Sequence, residues 1–163
     1  MHSPDVLPAT TRWLLDGLVF VVDTAAGMTI RGHFDRVGGS YEVAADGIRI
    51  EVAVDATSVD TGNRIWDGLL RSTNGRTLTE SPEARFRSTQ VRDLGGGRLR
   101  VEGHLEAAGK VERMAFDAVV KEVDHGLRLE AAATIDRQRL GRSADRFGIF
   151  LPARLHVTMH FSS

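Results

Sequence analysis

The chain has 163 residues, of which 42% are hydrophobic and 26% charged, with 21 basic residues against 22 acidic ones. That length and balance fit one globular domain with a sizeable core, and they exclude the basic footprint of a nucleic-acid binder or a polybasic membrane tether. The absence of cysteine removes disulfides, thiolate metal sites, iron–sulfur clusters and cysteine nucleophiles together.

Residues 1–11 form an expected loose tail, leaving residues 12–163 as a single domain. The start of the chain has neither the basic nor the apolar region of a secretory signal. The longest apolar run nearby, residues 18–22, falls far below the roughly 20 residues that span a bilayer. The expectation is a cytoplasmic protein without a transmembrane segment.

Residues 18–22 and 28–34 read as two strands around Ala25-Ala26-Gly27. Over residues 47–56 the chain alternates strictly: Ile48, Ile50, Val52, Val54 and Ala56 share one face, with Arg49, Glu51 and Asp55 on the other. Such a period of two is the mark of a half-buried strand. The stretch 63–72 departs from it, because Ile65, Trp66, Leu69 and Leu70 fall at helical spacing behind Thr61 or Asn63 as a cap. This predicts one short helix near residues 63–72.

A strand over 84–92 leads through Gly95-Gly96-Gly97 into residues 98–107, where Leu99, Val101, Gly103, Leu105 and Ala107 alternate with Arg98, Arg100, Glu102, His104 and Glu106. Met114, Phe116, Ala118 and Val120 make the next apolar face, and Leu127, Leu129, Ala131, Ala133 and Ile135 another. After a polar loop at 142–148, Leu155, Val157, Met159 and Phe161 make the last. Asp46-Gly47 and His125-Gly126 supply tight turns. About eight strands joined mostly by short turns predict an all-β fold, an antiparallel up-and-down sheet closed into a barrel.

No catalytic constellation emerges. His156 and His160 sit in an alternating run, so they stand roughly 13 Å apart, too far to share one zinc. His33, His104, His156 and His160 fall on polar faces, His125 in a turn, and no metal site is expected. The stretch from Gly103 to Gly109-Lys110 is one residue too long for a phosphate loop, and Val111 stands where Ser or Thr is required. There is no nucleophile elbow and no dinucleotide fingerprint. Asp136 or Arg137 are the only candidates for a buried ionisable group pointing into the interior. The reading is a non-enzyme without cofactors.

The interior carries the functional question. Inward positions mix large side chains (Phe20, Phe34, Phe86, Phe116) with small ones (Gly32, Gly103, Ala118, Ala131, Ala133). Barrels of about eight strands either fill with side chains or hold one slim ligand. From the pattern alone, either the large residues fill the space beside the small ones or an apolar ligand does.

Ser58-Val-Asp-Thr-Gly-Asn63, followed by Asp67-Gly-Leu-Leu-Arg-Ser72 and Ser81-Pro-Glu-Ala-Arg-Phe-Arg-Ser-Thr89, resembles the signature segments of the YceI-like family. Gly32-His-Phe34, Gly103-His-Leu105 and Ile135-Asp-Arg137 with Gly141 add to the resemblance, which runs from Trp13 onward. It implies a small lipocalin-like barrel that binds a polyisoprenoid or quinone-like lipid, and no catalysis. Face assignment along the strands gives the expected ligand-binding residues as Phe20, Ile30, Phe34, Ile50, Phe86, Leu105, Phe116 and Leu129, with Trp66, Leu69 and Leu70 at one mouth.

The chain departs from the family pattern at several polar positions. Gly17-Leu18 and Asp23 stand where the family has a His-Ser pair and a further His. Trp66 replaces an Arg, Asn74-Gly-Arg76 an aromatic segment, and Gly109-Lys-Val111 a Gly-Val-Thr. Any head-group contact made from those positions would be lost. The rival expectation is a filled barrel working through its surface, as a stress-related or regulatory interaction module or a homodimer. A third is an enzyme acting on a lipid held inside. Closure would remove strand edges, so dimerisation by strand addition is not required.

Overall fold

The computed structural model describes residues 10–24, 27–63, 83–107, 109–135 and 153–163. Ten strands appear among the described residues: β1 (Thr11–Thr24), β2 (Thr29–Phe34), β3 (Val37–Ala44), β4 (Gly47–Asp55), β5 (Val59–Asp60), β6 (Glu83–Gly95), β7 (Arg98–Ala107), β8 (Lys110–Val123), β9 (Gly126–Ile135) and β10 (Ala153–Ser162). Every pairing is antiparallel. The order β1-β3-β4-β6-β7-β8-β9-β10 returns to β1, so eight strands close into a barrel. β2 and β5 continue the barrel wall beyond breaks, since β2 pairs with the second half of β1 and β5 pairs with β2.

Those two breaks lie side by side and are stitched by a polar cluster. Between β4 and β5, residues 56–58 make one 3₁₀ turn, capped by Asp55, whose carboxylate accepts from the Thr57 N–H at 2.9 Å and the Thr57 hydroxyl at 2.6 Å. The buried Ser58 hydroxyl donates to the Asp55 carbonyl and accepts from the Arg36 N–H at 3.0 Å, while Arg36 Nε donates to Asp55 at 2.9 Å. Hydrogen bonds from Thr57, then from Arg36, hold the Asp55 carboxyl below the usual carboxylate range. The predicted helix at 63–72 lies outside the described residues, apart from Asn63.

One strand, β3, does not show in the sequence pattern. Residues 28–34 run on, past Asp35 and Arg36, into β3, whose Val-Gly-Gly-Ser start carries little alternation. Gly39 takes φ +137°, and a β-carbon there would drive into the Glu51 carbonyl, so only glycine closes the approach to β4. β1 likewise starts at Thr11 rather than near residue 18. An irregularity between Leu15 and Gly17 drops Asp16 from the register with β10. The inward set therefore switches from Trp13 and Leu15 to Leu18, Phe20 and Val22, which hides the strand from a period-two reading.

The two ends of the barrel differ. At one, tight turns join β3 to β4, β6 to β7 and β8 to β9; His125 and Gly96 hold positive φ there. Large side chains pack this hairpin end: Leu15, Tyr41, Leu99, Val101, Leu127, Leu129 and Phe161 are all buried. The Tyr41 ring lies 5.9 Å from Trp13 and 5.8 Å from Phe161. Burial, with the Asp93 charge adding to it, pushes the Tyr41 phenol up to about 12 from 10.0. A pKa raised on folding means that this packing stabilises fully below pH 10.0 and is lost as pH climbs through about 12.

Candidate functional site

At the far end stand the adjoining ends of β1 and β2, those of β7 and β8, and the outer termini of β5, β6, β9 and β10. Here the inward side chains do not meet. They surround a cavity of about 460 Å³ lined almost entirely by apolar atoms. Its walls carry Phe20 and Val22 from β1, Phe34 from β2, Val52 and Val54 from β4, and Val59 from β5. Ala84 and Phe86 of β6, Leu105 of β7, Met114 and Phe116 of β8, Ala131 and Ala133 of β9, and Leu155 and Val157 of β10 complete the circuit. Leu18, Ile50 and Met159, midway along their strands, form its floor above the packed hairpin end.

The difference between the two halves follows from residue size along each strand. β9 presents Leu127 and Leu129 to the packed half but Ala131 and Ala133 to the cavity. Many cavity walls, including Phe34, Val52, Val54, Met114, Phe116 and Val157, are only half-buried although they point inward. Phe20 and Phe34 pair at 5.4 Å on one arc of the wall, and Phe86 and Phe116 pair at 5.4 Å on another.

Two inward glycines do not contribute empty space. A β-carbon on Gly32 would lie 2.7 Å from the Phe20 ring, and one on Gly103 would lie 2.6 Å from the Phe86 ring. Each Gly-His-hydrophobe motif thus works the same way. The glycine lets a neighbouring phenyl lie across its strand, the histidine faces outward, and Phe34 or Leu105 enters the cavity. The space that remains comes from alanines: Ala84, Ala131 and Ala133, with Ala56 at the 3₁₀ turn.

Of the residues singled out by sequence, the structure brings Phe20, Phe34, Ile50, Phe86, Leu105 and Phe116 together around the cavity. Leu129 instead packs into the filled half, fully buried, and Ile30 is buried but not among the lining residues. Trp66, Leu69 and Leu70, and also Asp136 and Arg137, lie outside the described residues. Sequence reasoning missed Leu18, Val52, Val54, Val59, Met114 and Val157 as lining. They share the inward face with residues it chose, but position along the strand decides cavity or core, and that depends on how the strands are staggered.

None of the described lining residues is ionisable. On the outer face His156 and His160 meet aspartates. His160 Nδ1 lies 2.7 Å from Asp16, the residue of β1 that the β10 register skips, and His156 lies 3.7 Å from Asp23. Slight burial raises the Asp16 carboxyl, but hydrogen bonds with His160 and Ser162 outweigh this and hold it below its ordinary value. Gly17 and Asp23, which depart from the pattern expected by resemblance, belong to this outer surface: Gly17 pairs with His160, and Asp23 accepts from the Thr29 hydroxyl at 3.0 Å. Leu18, the other half of the departing pair, instead reaches the cavity and forms part of its floor.

The β2–β5 pairing also brings Asp60 beside His33 and Asp35, with ligand-capable atoms within 4.8 Å of one another. His33 and Asp35 already pair at 2.9 Å, Asp60 accepts from the Gly62 N–H at 2.8 Å, and the group is largely exposed on the outer wall. No helix among the described residues is long and apolar enough to cross a membrane.

A closed antiparallel barrel, packed at one end and hollow and apolar at the other, is a container fold. The chain belongs to the YceI-like domain family, whose model matches residues 15–162. A UPF0312 protein of Vibrio parahaemolyticus is 32% identical over 92 residues, 55% of this chain and 49% of that protein. A UPF0312 protein of Shewanella baltica is 29% identical over 104 residues, 62% of this chain and 54% of its own. The chain thus spans about half the length of the curated relatives it matches. Among solved structures, Burkholderia cenocepacia BcnA superposes with a TM-score of 0.73 at 16% identity, covering 90% of this chain and 95% of that one. A domain from Saccharophagus degradans described as polyisoprenoid-binding gives 0.63 at 16%, covering 93% and 98%. These likenesses establish the fold.

Proposed function

We propose that this protein binds and carries, or sequesters, an apolar lipid of isoprenoid or quinone-like character inside the far half of its barrel. The observation that carries the reading is the cavity of about 460 Å³ whose described lining holds no ionisable group. An empty apolar void loses dispersion contacts, and a ligand that fills it recovers them together with roughly 25 cal/mol per Å² of apolar surface removed from water. Phe20, Phe34, Ile50, Phe86, Leu105 and Phe116 would make the contacts. The polyisoprenoid-binding description of the Saccharophagus degradans domain supports the ligand class, and the uncharged lining favours binding over chemistry on the ligand.

The test is extraction of the purified protein with organic solvent and mass spectrometry of the extract, followed by titration of added isoprenoid alcohols and quinones. The expected result is a reproducible lipid near one per chain, or saturable binding of an added one. A clean extract and no binding of any probe would sink the proposal.

A further inference from the structure

The Gly32-His33-Phe34 segment and the segment from Ser58 to Asn63 meet where β2 pairs with β5, His33 opposite Asp60 and Phe34 opposite Val59. The cavity uses only the inward member of each pair, Phe34 and Val59. On the outer wall, His33 and Asp60 are joined by Asp35 from the bend that follows β2. One imidazole nitrogen and two carboxylate oxygens there lie within 4.8 Å of one another. Read along the chain, His33 is a lone surface histidine, because Asp60 comes beside it only when β5 forms. Many carboxylates on the described surface are answered by arginine, as Asp55 is by Arg36, Glu51 by Arg87 and Asp117 by Arg100. Among the described residues Asp35 and Asp60 have no such partner, since Arg36, next to Asp35, turns to Asp55 and Thr57. Two carboxylates therefore share one spot with only an imidazole beside them, and no other described group gathers three such ligands.

We infer that His33, Asp35 and Asp60 form a surface site for a divalent cation of the Zn²⁺ class, which clasps β5 to β2. The donor set decides the class. An imidazole nitrogen with two carboxylate oxygens suits zinc and its transition-metal neighbours, whereas Ca²⁺ takes about six to eight oxygens and Mg²⁺ keeps most of its water. Three protein ligands leave the fourth tetrahedral position to water. Zinc holds such ligands at about 2.0–2.2 Å, hence about 3.4 Å apart, so these side chains close by up to about 1.4 Å. His33 Nε2 and Asp35 Oδ1 already lie 2.9 Å apart. Asp60 gives one oxygen to the Gly62 N–H at 2.8 Å and keeps the other for the ion. The Asp35 N–H, donating to the Ser58 carbonyl at 3.1 Å, anchors the bend beside β5. The ion replaces the proton between His33 and Asp35 and offsets the repulsion between the two carboxylates. It ties β5, held to β2 by two register pairs, into the wall. The site lies outside the barrel and is independent of the ligand reading above.

The experiment is a calorimetric titration of the full, tag-free chain with Zn²⁺ after treatment with a chelator. The expected result is saturable uptake of one ion per chain at micromolar zinc, a melting temperature that rises with zinc, and no comparable response to Mg²⁺ or Ca²⁺. His33→Ala and Asp60→Asn should each weaken binding by about tenfold or more and abolish the thermal shift. In Asp60→Asn the amide oxygen can still accept from Gly62, and circular dichroism without metal checks that both variants fold as the wild type does. His156→Ala and His160→Ala, on neighbouring β10, should bind zinc unchanged. In the wild type, zinc should move the imidazole resonances of His33 and not those of His156 or His160, a readout that needs no variant. Absence of saturable uptake would overturn the site. So would uptake that survives both His33→Ala and Asp60→Asn, or that leaves the His33 resonances in place.

Discussion

Ala133→Trp should weaken binding of an apolar ligand by about 60-fold while leaving the melting temperature unchanged or slightly higher. Ala133 lies on β9 opposite Leu155 of β10 and faces the cavity, where it is half-buried. An indole there has empty volume to enter, so the overpacking cost of about 1–3 kcal/mol that enlargement brings in a filled core does not arise. The ring would displace on the order of 100 Å² of ligand contact, about 2.5 kcal/mol at roughly 25 cal/mol per Å². Titration and thermal melting of the same preparation check both parts. A variant that binds normally would place the ligand elsewhere, and a strongly destabilised one would show that the far half is packed in solution.

Phe161→Ala should have the opposite profile, a large loss of stability. Phe161 is 0% exposed, its ring lies 5.8 Å from Tyr41, and it pairs with Leu15 across the β10–β1 seam that closes the barrel. Buried Phe→Ala changes cost about 3–5 kcal/mol through lost transfer energy and the cavity left behind. For a chain of this length that lowers the melting temperature by roughly 10–15 °C. Phe34→Ala is the internal contrast: Phe34 is half-buried against open volume, so truncation removes fewer contacts and should cost well under half as much. Equal losses in the two variants, by thermal or urea unfolding, would contradict the division into a packed and a hollow half.

The barrel itself was legible in the chain wherever alternation ran unbroken, as in β4, β7, β9 and β10. It was not legible where one residue breaks the parity of the pattern. At Asp16 the inward set of β1 switches from odd to even positions, and near Thr89 that of β6 switches from Phe86 to Val91. β3 escaped for a different reason: Val37-Gly-Gly-Ser40 has few side chains with which to display alternation, and its geometry at Gly39 rests on backbone approach.

The cavity was half legible. Alternation correctly gave the inward residues, but Leu129 and Ala131 are adjacent on the same face and differ in fate, since one packs the core and the other borders empty space. Nothing local distinguishes them; the stagger between neighbouring strands does. Gly32 and Gly103 mark the limit of reading volume from residue size, because the Phe20 and Phe86 rings occupy what the missing side chains leave. The gathering of Asp60 with His33 depends on a two-residue strand, β5, too short to be read from its own sequence.

The central claim is that an apolar ligand sits inside the far half of the barrel. Photo-crosslinking tests it most directly, using a fifteen-carbon alcohol that carries a diazirine at the end remote from the hydroxyl, with the labelled residues mapped by peptide mass spectrometry. Label should fall on Leu18, Ile50 and Met159 and the wall just above them, and should be competed away by unlabelled farnesol. Label confined to exposed outer-face residues such as Val19 or Leu94, and unaffected by competitor, would contradict the account.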